Sequence, residues 1–257
     1  MTAAIRGVDI SSWQHANGAP IDWWELYDAG YHFVIVKATQ GATYVNPWIV
    51  RDLDDARAAG LLVGAYHFWE PGQPADAQAK LFYNAVIMQE LELGTWLDWE
   101  PPILSEAEAF TRIDLGNGKE METASAKLTQ AVSDITAFMA ECDNARPSTG
   151  YYMDLAWHEL LARTAIPTRR TWLASWGDVA PAGATVWQDA TNISVKGIIG
   201  PVDTDVLISS RGLNVPTSPP TKPTAATTRP PKLEPEPDDA TGGDGPIPGS
   251  EPEEPAR

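Results

Sequence analysis

Along residues 5–208 the apolar positions switch repeatedly between a period of two and a period near 3.6, the patterns of a strand and of an amphipathic helix. Strand-like runs are Ile5–Ile10 (IRGVDI), His32–Thr39 (HFVIVKAT), Leu61–Phe68 (LLVGAYHF) and Thr95–Glu100 (TWLDWE). HFVIVKAT is apolar on nearly every position, as expected of a strand covered on both faces. The stretches between are helical in pattern: Ile21–Gly30, Asn46–Gly60 and Pro74–Leu91. Gly30 and Gly60 stand where a left-handed C-terminal cap is expected. Asn46 and Pro47 suit an N-cap and first helical position.

Residues 101–120 show no period and read as irregular, with a turn at GNGK (116–119). Met121–Asp143 then reads as one long amphipathic helix, Pro147–Met153 as a strand and Leu155–Arg163 as a short helix. Arg170–Trp176, Ala184–Ala190 and Val202–Ile208 are three further strands with little helix between them. Five strand–helix units followed by three strands predict a parallel α/β architecture: an irregular TIM-like barrel of eight strands with about five flanking helices.

Composition changes this picture near Val215. Residues 216–257 hold twelve of the 22 prolines, eight acids and four bases, and no aromatic residue. Such a segment cannot bury enough apolar surface to offset its ordering entropy and is expected to be disordered. The chain therefore divides into a folded unit, 1–215, and a Pro-rich acidic tail or linker, 216–257. The tail is expected to lead to a C-terminal wall-binding module that is missing here, or to be a plain tail. The first residues, MTAAIRGVDIS, lack the apolar run of a secretory signal peptide, so action outside a cell would call for release by another route.

The formal net charge of −17 argues against nucleic acid and anionic membranes as partners. No stretch is long and apolar enough to insert in a membrane. The single cysteine, Cys142, excludes an intramolecular disulfide and reads as a small buried apolar residue. Eleven tryptophans exceed what packing usually requires, and exposed aromatics would suit a carbohydrate groove.

The chemistry concentrates in TWLDWEPP. In a strand, residues two apart share a face with Cα atoms roughly 6.5 Å apart, so Asp98 and Glu100 point one way and Trp99 the other. At the C-terminal end of a barrel strand this pair would sit at the mouth, where one carboxyl tends to ionise and its neighbour to keep its proton. Glycosidic cleavage needs that arrangement. Asp9 ends another strand and either joins the cluster or caps the turn at Ser11 and Ser12. Asp203 and Asp205 lie two apart on a late strand. The four histidines have no zinc-hydrolase spacing, and no nucleophile elbow, P-loop or dinucleotide fingerprint is present, so no metal and no cofactor is expected.

GVDISSWQ, FVIVKATQGATYVNP, AAGLLVGAYHF, WLDWE, TWLASW, VWQ and GPVDTDVL occur in the order seen in glycoside hydrolase family 25, the Chalaropsis-type lysozymes or N-acetylmuramidases, which this chain resembles over about residues 5–208. The resemblance implies hydrolysis of the β-1,4 bond between N-acetylmuramic acid and N-acetylglucosamine in peptidoglycan, with net retention, in the setting of a phage-type endolysin acting on the wall. It implies Glu100 as general acid, Asp98 as its charged partner and Asp9 as the first-strand acid. The late-strand acid is Asp203, with Asp205 the other candidate in the same run. Tyr66, Tyr152, Trp176, Trp187, Gln188, Lys37 and Gln40 are the expected substrate-binding residues. The family commonly has Glu at the position of Gln40; an amide there can bond a sugar but carries no charge. Two other readings remain at this point: a chitinase-like glycosidase, whose longer acidic pattern is absent before Asp98, and a non-catalytic sugar-binding barrel, which would have no use for a proton donor.

Overall fold

The computed structural model describes residues 4–116, 119–145 and 149–216. Eleven strands and six helices follow in order: β1 Ile5–Ile10, α1 Trp23–Asp28, β2 Tyr31–Gln40, β3 Tyr44–Val45, α2 Ile49–Ala58, β4 Leu62–Phe68, α3 Ala75–Val86, β5 Thr95–Asp98, α4 Glu106–Ala109, β6 Phe110–Asp114, β7 Glu120–Ala124, α5 Ala126–Ala145, β8 Gly150–Asp154, α6 Leu155–Leu161, β9 Thr171–Ala174, β10 Val186–Ser194 and β11 Pro201–Leu207. Eight of them, β1, β2, β4, β5, β8, β9, β10 and β11, close into a barrel, with β11 returning to pair with β1.

The barrel is mixed where the strand–helix alternation predicted parallel pairing throughout. β11 runs antiparallel to both β10 and β1. No helix separates β10 from β11; a short turn with Gly197 and Gly200 at φ 92° and 90° joins them, and a link that short can only make a hairpin. Five helices flank the barrel as expected, and α4 adds a single turn.

Part of the segment read as irregular forms regular structure. Residues 110–114 pair with 120–124 as a separate hairpin, in register Phe110↔Ala124 to Asp114↔Glu120. The long helix therefore starts at Ala126, not at Met121. Ser125 marks its start, its hydroxyl accepting the Leu128 N–H at 3.2 Å. The middle of the GNGK turn, residues 117–118, and the first residues of the predicted strand Pro147–Met153 lie outside the described residues, as does the tail from residue 217. α2 starts at Ile49, after a turn in which Asn46 acts as the expected cap, its side-chain oxygen accepting the Trp48 N–H at 3.0 Å. The Asn46 side-chain amide donates to the Lys37 carbonyl at 2.7 Å and ties the helix entry to β2.

Alternation along the strands builds two apolar clusters. Residues facing outward, among them Val34, Val36, Val63, Leu97, Met153 and Leu173, pack under the helices. Residues facing inward, among them Phe33, Ile35, Leu62, Trp96, Trp172 and Val186, fill the barrel, and Leu213 and Val215 close its lower end. Most tryptophans serve packing: Trp23, Trp69, Trp96, Trp99, Trp157 and Trp172 are buried, whereas Trp13 and Trp176 are exposed. Cys142 is buried in α5, and burial pushes its thiol up to about 12. Among the described residues no helix is long and apolar enough to cross a membrane.

Filling is tight. A Cβ at Gly150 would stand 2.6 Å from Trp96 Cε3 and 2.9 Å from the Arg170 carbonyl oxygen. Gly150→Ala is expected to destabilise the fold by about 1–3 kcal/mol. A urea unfolding midpoint equal to that of the parent would contradict the packing described.

Candidate active site

Seven barrel strands share a direction, so their C-terminal ends and the N-terminal end of the reversed β11 form one mouth. Below it the interior is apolar and aromatic. The Trp172 ring stands edge-on to Tyr152 at 4.6 Å and to Tyr66 and Trp96 at 6.0 Å each. Above this layer the inward positions turn polar.

Asp98 ends β5 in register with Phe68 and Tyr152, both inward-facing, and is buried. Glu100 follows two residues later and is half-buried. Its backbone is fixed on both sides. Trp99 is wedged between Trp69, at 5.3 Å, and Trp157, at 5.9 Å. The Trp157 indole N–H donates to the Pro101 carbonyl at 2.9 Å. The apolar outward residue thus anchors the acids on either side of it.

Opposite them, the mouth is held by a chain of hydrogen bonds. The Tyr152 hydroxyl donates to Gln188 Oε1 at 2.8 Å, and Gln188 Nε2 donates to Asp9 Oδ2 at 2.8 Å. Asp203 is the register partner of Asp9 and accepts the Asn192 N–H at 3.0 Å. Asp205 lies one inward position deeper, fully buried, and accepts the Trp172 indole N–H at 2.7 Å. Burial, with the neighbouring Asp9 and Asp203 charges adding to it, holds the Asp205 carboxyl well above the usual carboxylate range. The turn after β1 is capped by Ser11, whose hydroxyl accepts the Trp13 N–H.

The other expected residues divide. Lys37 is buried on the inward face of β2, its ammonium 4.5 Å from the centre of the Phe68 ring. Gln40 ends β2 in register with Phe68 and donates to the Glu70 carboxylate at 2.8 Å, so a negative charge stands beside this amide. Trp176, after β9, is 60% exposed. Trp187 alternates with Gln188 and faces the other way, its indole donating to the Ser175 carbonyl at 2.9 Å. Trp172, Glu70 and the exposed Trp13 were not singled out from sequence. Trp172 was findable, since it has the parity of Ala174 on a strand whose end meets the mouth. Glu70 follows a strand in a loop and gives no periodic signal.

His67, next to inward-facing Tyr66, faces outward. Its ring nitrogens bond the Thr39 hydroxyl at 2.7 Å and Gln78 Oε1 at 3.1 Å. Burial pushes its pKa down to about 3, so it is neutral and no proton carrier for the mouth. Among the described residues no three His, Cys, Asp or Glu side chains converge as metal ligands would.

The unfolded chain protonates His67 below its ordinary value of 6.5 while the folded one does not, so stability is lost as pH falls from 6.5 toward 3. In nitrogen-resolved NMR the His67 ring is expected to keep its neutral pattern from pH 7 to about 4. A midpoint near 6.5 would contradict its burial.

Comparison with known proteins bears on this geometry. The family model described as Glycosyl hydrolases family 25 matches residues 8–198. The uncharacterized protein YegX of Escherichia coli K12 is 29% identical over 212 residues, 79% of this chain and 69% of that protein. Lysozyme M1 of Streptomyces globisporus is 35% identical over 82 residues, 32% of this chain and 26% of that protein. The crystal structure of a bacterial lysozyme from Streptomyces coelicolor superposes with a TM-score of 0.62 at 24% identity, covering 83% of this chain and 97% of the other.

Proposed function

The chain belongs to glycosyl hydrolases family 25, and on that premise we propose that it is an N-acetylmuramidase, cleaving the β-1,4 bond between N-acetylmuramic acid and N-acetylglucosamine in bacterial peptidoglycan. The observation that carries this reading is the gathering of Asp98, Glu100, Asp9 and Asp203 at one end of a barrel whose floor is aromatic. Acids grouped there can stabilise a positively charged, oxocarbenium-like transition state in a medium where charge acts strongly. The proposed setting is that of a phage-type lysin working on the cell wall.

Glu100, the more open of the β5 acids, is the proposed proton donor to the leaving C4 oxygen. Its anchored backbone supports this, since a general acid must be held within hydrogen-bond reach of the atom it protonates. Asp98 is the proposed charged partner. Asp98 and Glu100 leave one strand in succession and do not face each other across a bond, which favours assistance by the substrate's own N-acetyl group over a covalent enzyme intermediate. In that route the N-acetyl oxygen attacks the anomeric carbon, Asp98 orients the N-acetyl group, and the glycosidic bond breaks as Glu100 delivers its proton. Water then adds to the anomeric carbon while the Glu100 carboxylate takes up its proton, which reopens the N-acetyl group with retention. Exposed Trp176 is the proposed stacking surface for a sugar ring, and Gln188 and Gln40 are the proposed polar contacts.

Glu100→Gln is expected to lower the rate of turbidity loss from purified peptidoglycan by about 10²–10⁴-fold. Borohydride reduction of the parent's products should convert muramic acid, not glucosamine, to its alditol. A Glu100→Gln variant as active as the parent, or glucosamine at the reducing end, would contradict the assignment. On the route, an adduct on Asp98 trapped with a fluorinated glycoside and seen by mass spectrometry would sink substrate assistance.

A further inference from the structure

We propose that Asp205 carries a proton at neutral pH and donates it to Asp9, so that the two carboxyls present one negative charge and Asp205 acts as a positioning residue for Asp9. This rests on the reading of Asp9 as a site acid.

The geometry leaves the ionised form of Asp205 with a single donor, the Trp172 indole. The side chain is fully buried. Oδ1 accepts the Trp172 indole N–H, but Oδ2 is also buried and meets no donor. What the Asp205 carboxyl does meet is the carboxyl of Asp9, whose register partner Asp203 stands two residues away on the same strand. Two ionised carboxylates in contact inside a barrel are the least favourable arrangement available to them, and one proton between them turns the repulsion into a hydrogen bond. That proton is the donor Oδ2 otherwise lacks.

Among the described residues, the groups that act on Asp205 include no cation. Asp205 is faced by Asp9 from β1, by Asp203 on its own strand, by the neutral Trp172 from β9, and by the neutral Gln188 at its register position on β10. Lys37, a buried cation on β2, has its ammonium over the Phe68 ring. Burial and the two neighbouring acids push the Asp205 carboxyl upward, in the direction the geometry requires.

The consequence falls on Asp9. It receives the Gln188 amide on Oδ2 and the Asp205 hydroxyl from below. Each of these donors is itself oriented, Gln188 by Tyr152 and Asp205 by Trp172. A carboxylate held by two donors stays ionised and keeps one orientation. The aromatic floor of the barrel thereby aims an acid at its mouth.

The test uses aspartate labelled with carbon-13 at the side-chain carboxyl. The resonance missing from the Asp205→Asn spectrum should stand at the protonated position in the parent at pH 7, and move only at higher pH. In kinetics on purified peptidoglycan, Asp205→Leu should lower kcat by about 10–100-fold, the usual cost of removing a partner that orients a reacting group, with KM less affected. Asp205→Asn should recover most of that loss, because its carbonyl can accept the indole while its amide donates to Asp9. The parent should also lose stability relative to Asp205→Asn as pH rises from about 4 to 7, since the unfolded aspartate gives up near 3.8 a proton that the folded one keeps. An ionised resonance at pH 7 would overturn the protonation, and an Asn variant no better than the Leu variant would overturn the positioning role. Failure of the parent to hydrolyse peptidoglycan would instead sink the muramidase reading, and the resonance would still decide the state of Asp205.

Discussion

Eight strands closed on themselves give every strand one face toward an interior with no room for bulk water. Each inward side chain must then be apolar, be paired, or stand at an open end. Leu213 and Val215 seal the lower end, and the rings of Trp96, Tyr66, Tyr152 and Trp172 fill the middle. Polar groups gather at the top, Arg170 over the Trp96 ring at the lower end apart, and those that reach down from the mouth do so on a partner: Asp205 on the Trp172 indole, Gln188 on the Tyr152 hydroxyl. The concentration of acids at the mouth is thus a consequence of closure. The strand alternation that buries the core also aims Asp9, Asp98 and Asp203 one way.

The outward face contributes precision of a different kind. Trp69, Trp99 and Trp157 form a packed row just beyond the ends of β4 and β5, and the Trp157 indole holds the Pro101 carbonyl. Glu100 lies between two anchored residues although it stands beyond the last hydrogen-bonded residue of β5. A side chain at a strand end would otherwise sample several orientations. Here side-chain packing supplies the rigidity that the sheet no longer provides.

Much of this was legible in the chain. The strands at Ile5, His32, Leu61 and Thr95 announce themselves by apolar runs bounded by glycine or proline, and parity alone puts Asp98 and Trp96 on one face. The hairpin Phe110–Ala124 was not legible. Its residues are mostly exposed, so no buried face imposes a period, and Glu120–Ala124 resembles the helix that follows. The direction of β11 was hidden because VDTDVLI reads the same in either sense; only the short turn before it decides. Asp203 and Asp205 share a parity, and what separates them is depth, which a sequence does not carry. Register sets Asp203 level with Asp9 and drops Asp205 to the tryptophan below.

The account stands or falls on whether these acids face one bond of one substrate. The most direct measurement is a crystal structure of the Glu100→Gln protein with a bound peptidoglycan tetrasaccharide. The account predicts a glycosidic oxygen within about 2.6–3.2 Å of the residue-100 side chain, with the N-acetyl group of the adjoining muramic acid turned toward Asp98 and the same sugar ring facing Asp9 and Asp203. A saccharide seated away from the mouth, or one whose bond meets Glu100 while Asp98 faces solvent, would contradict it.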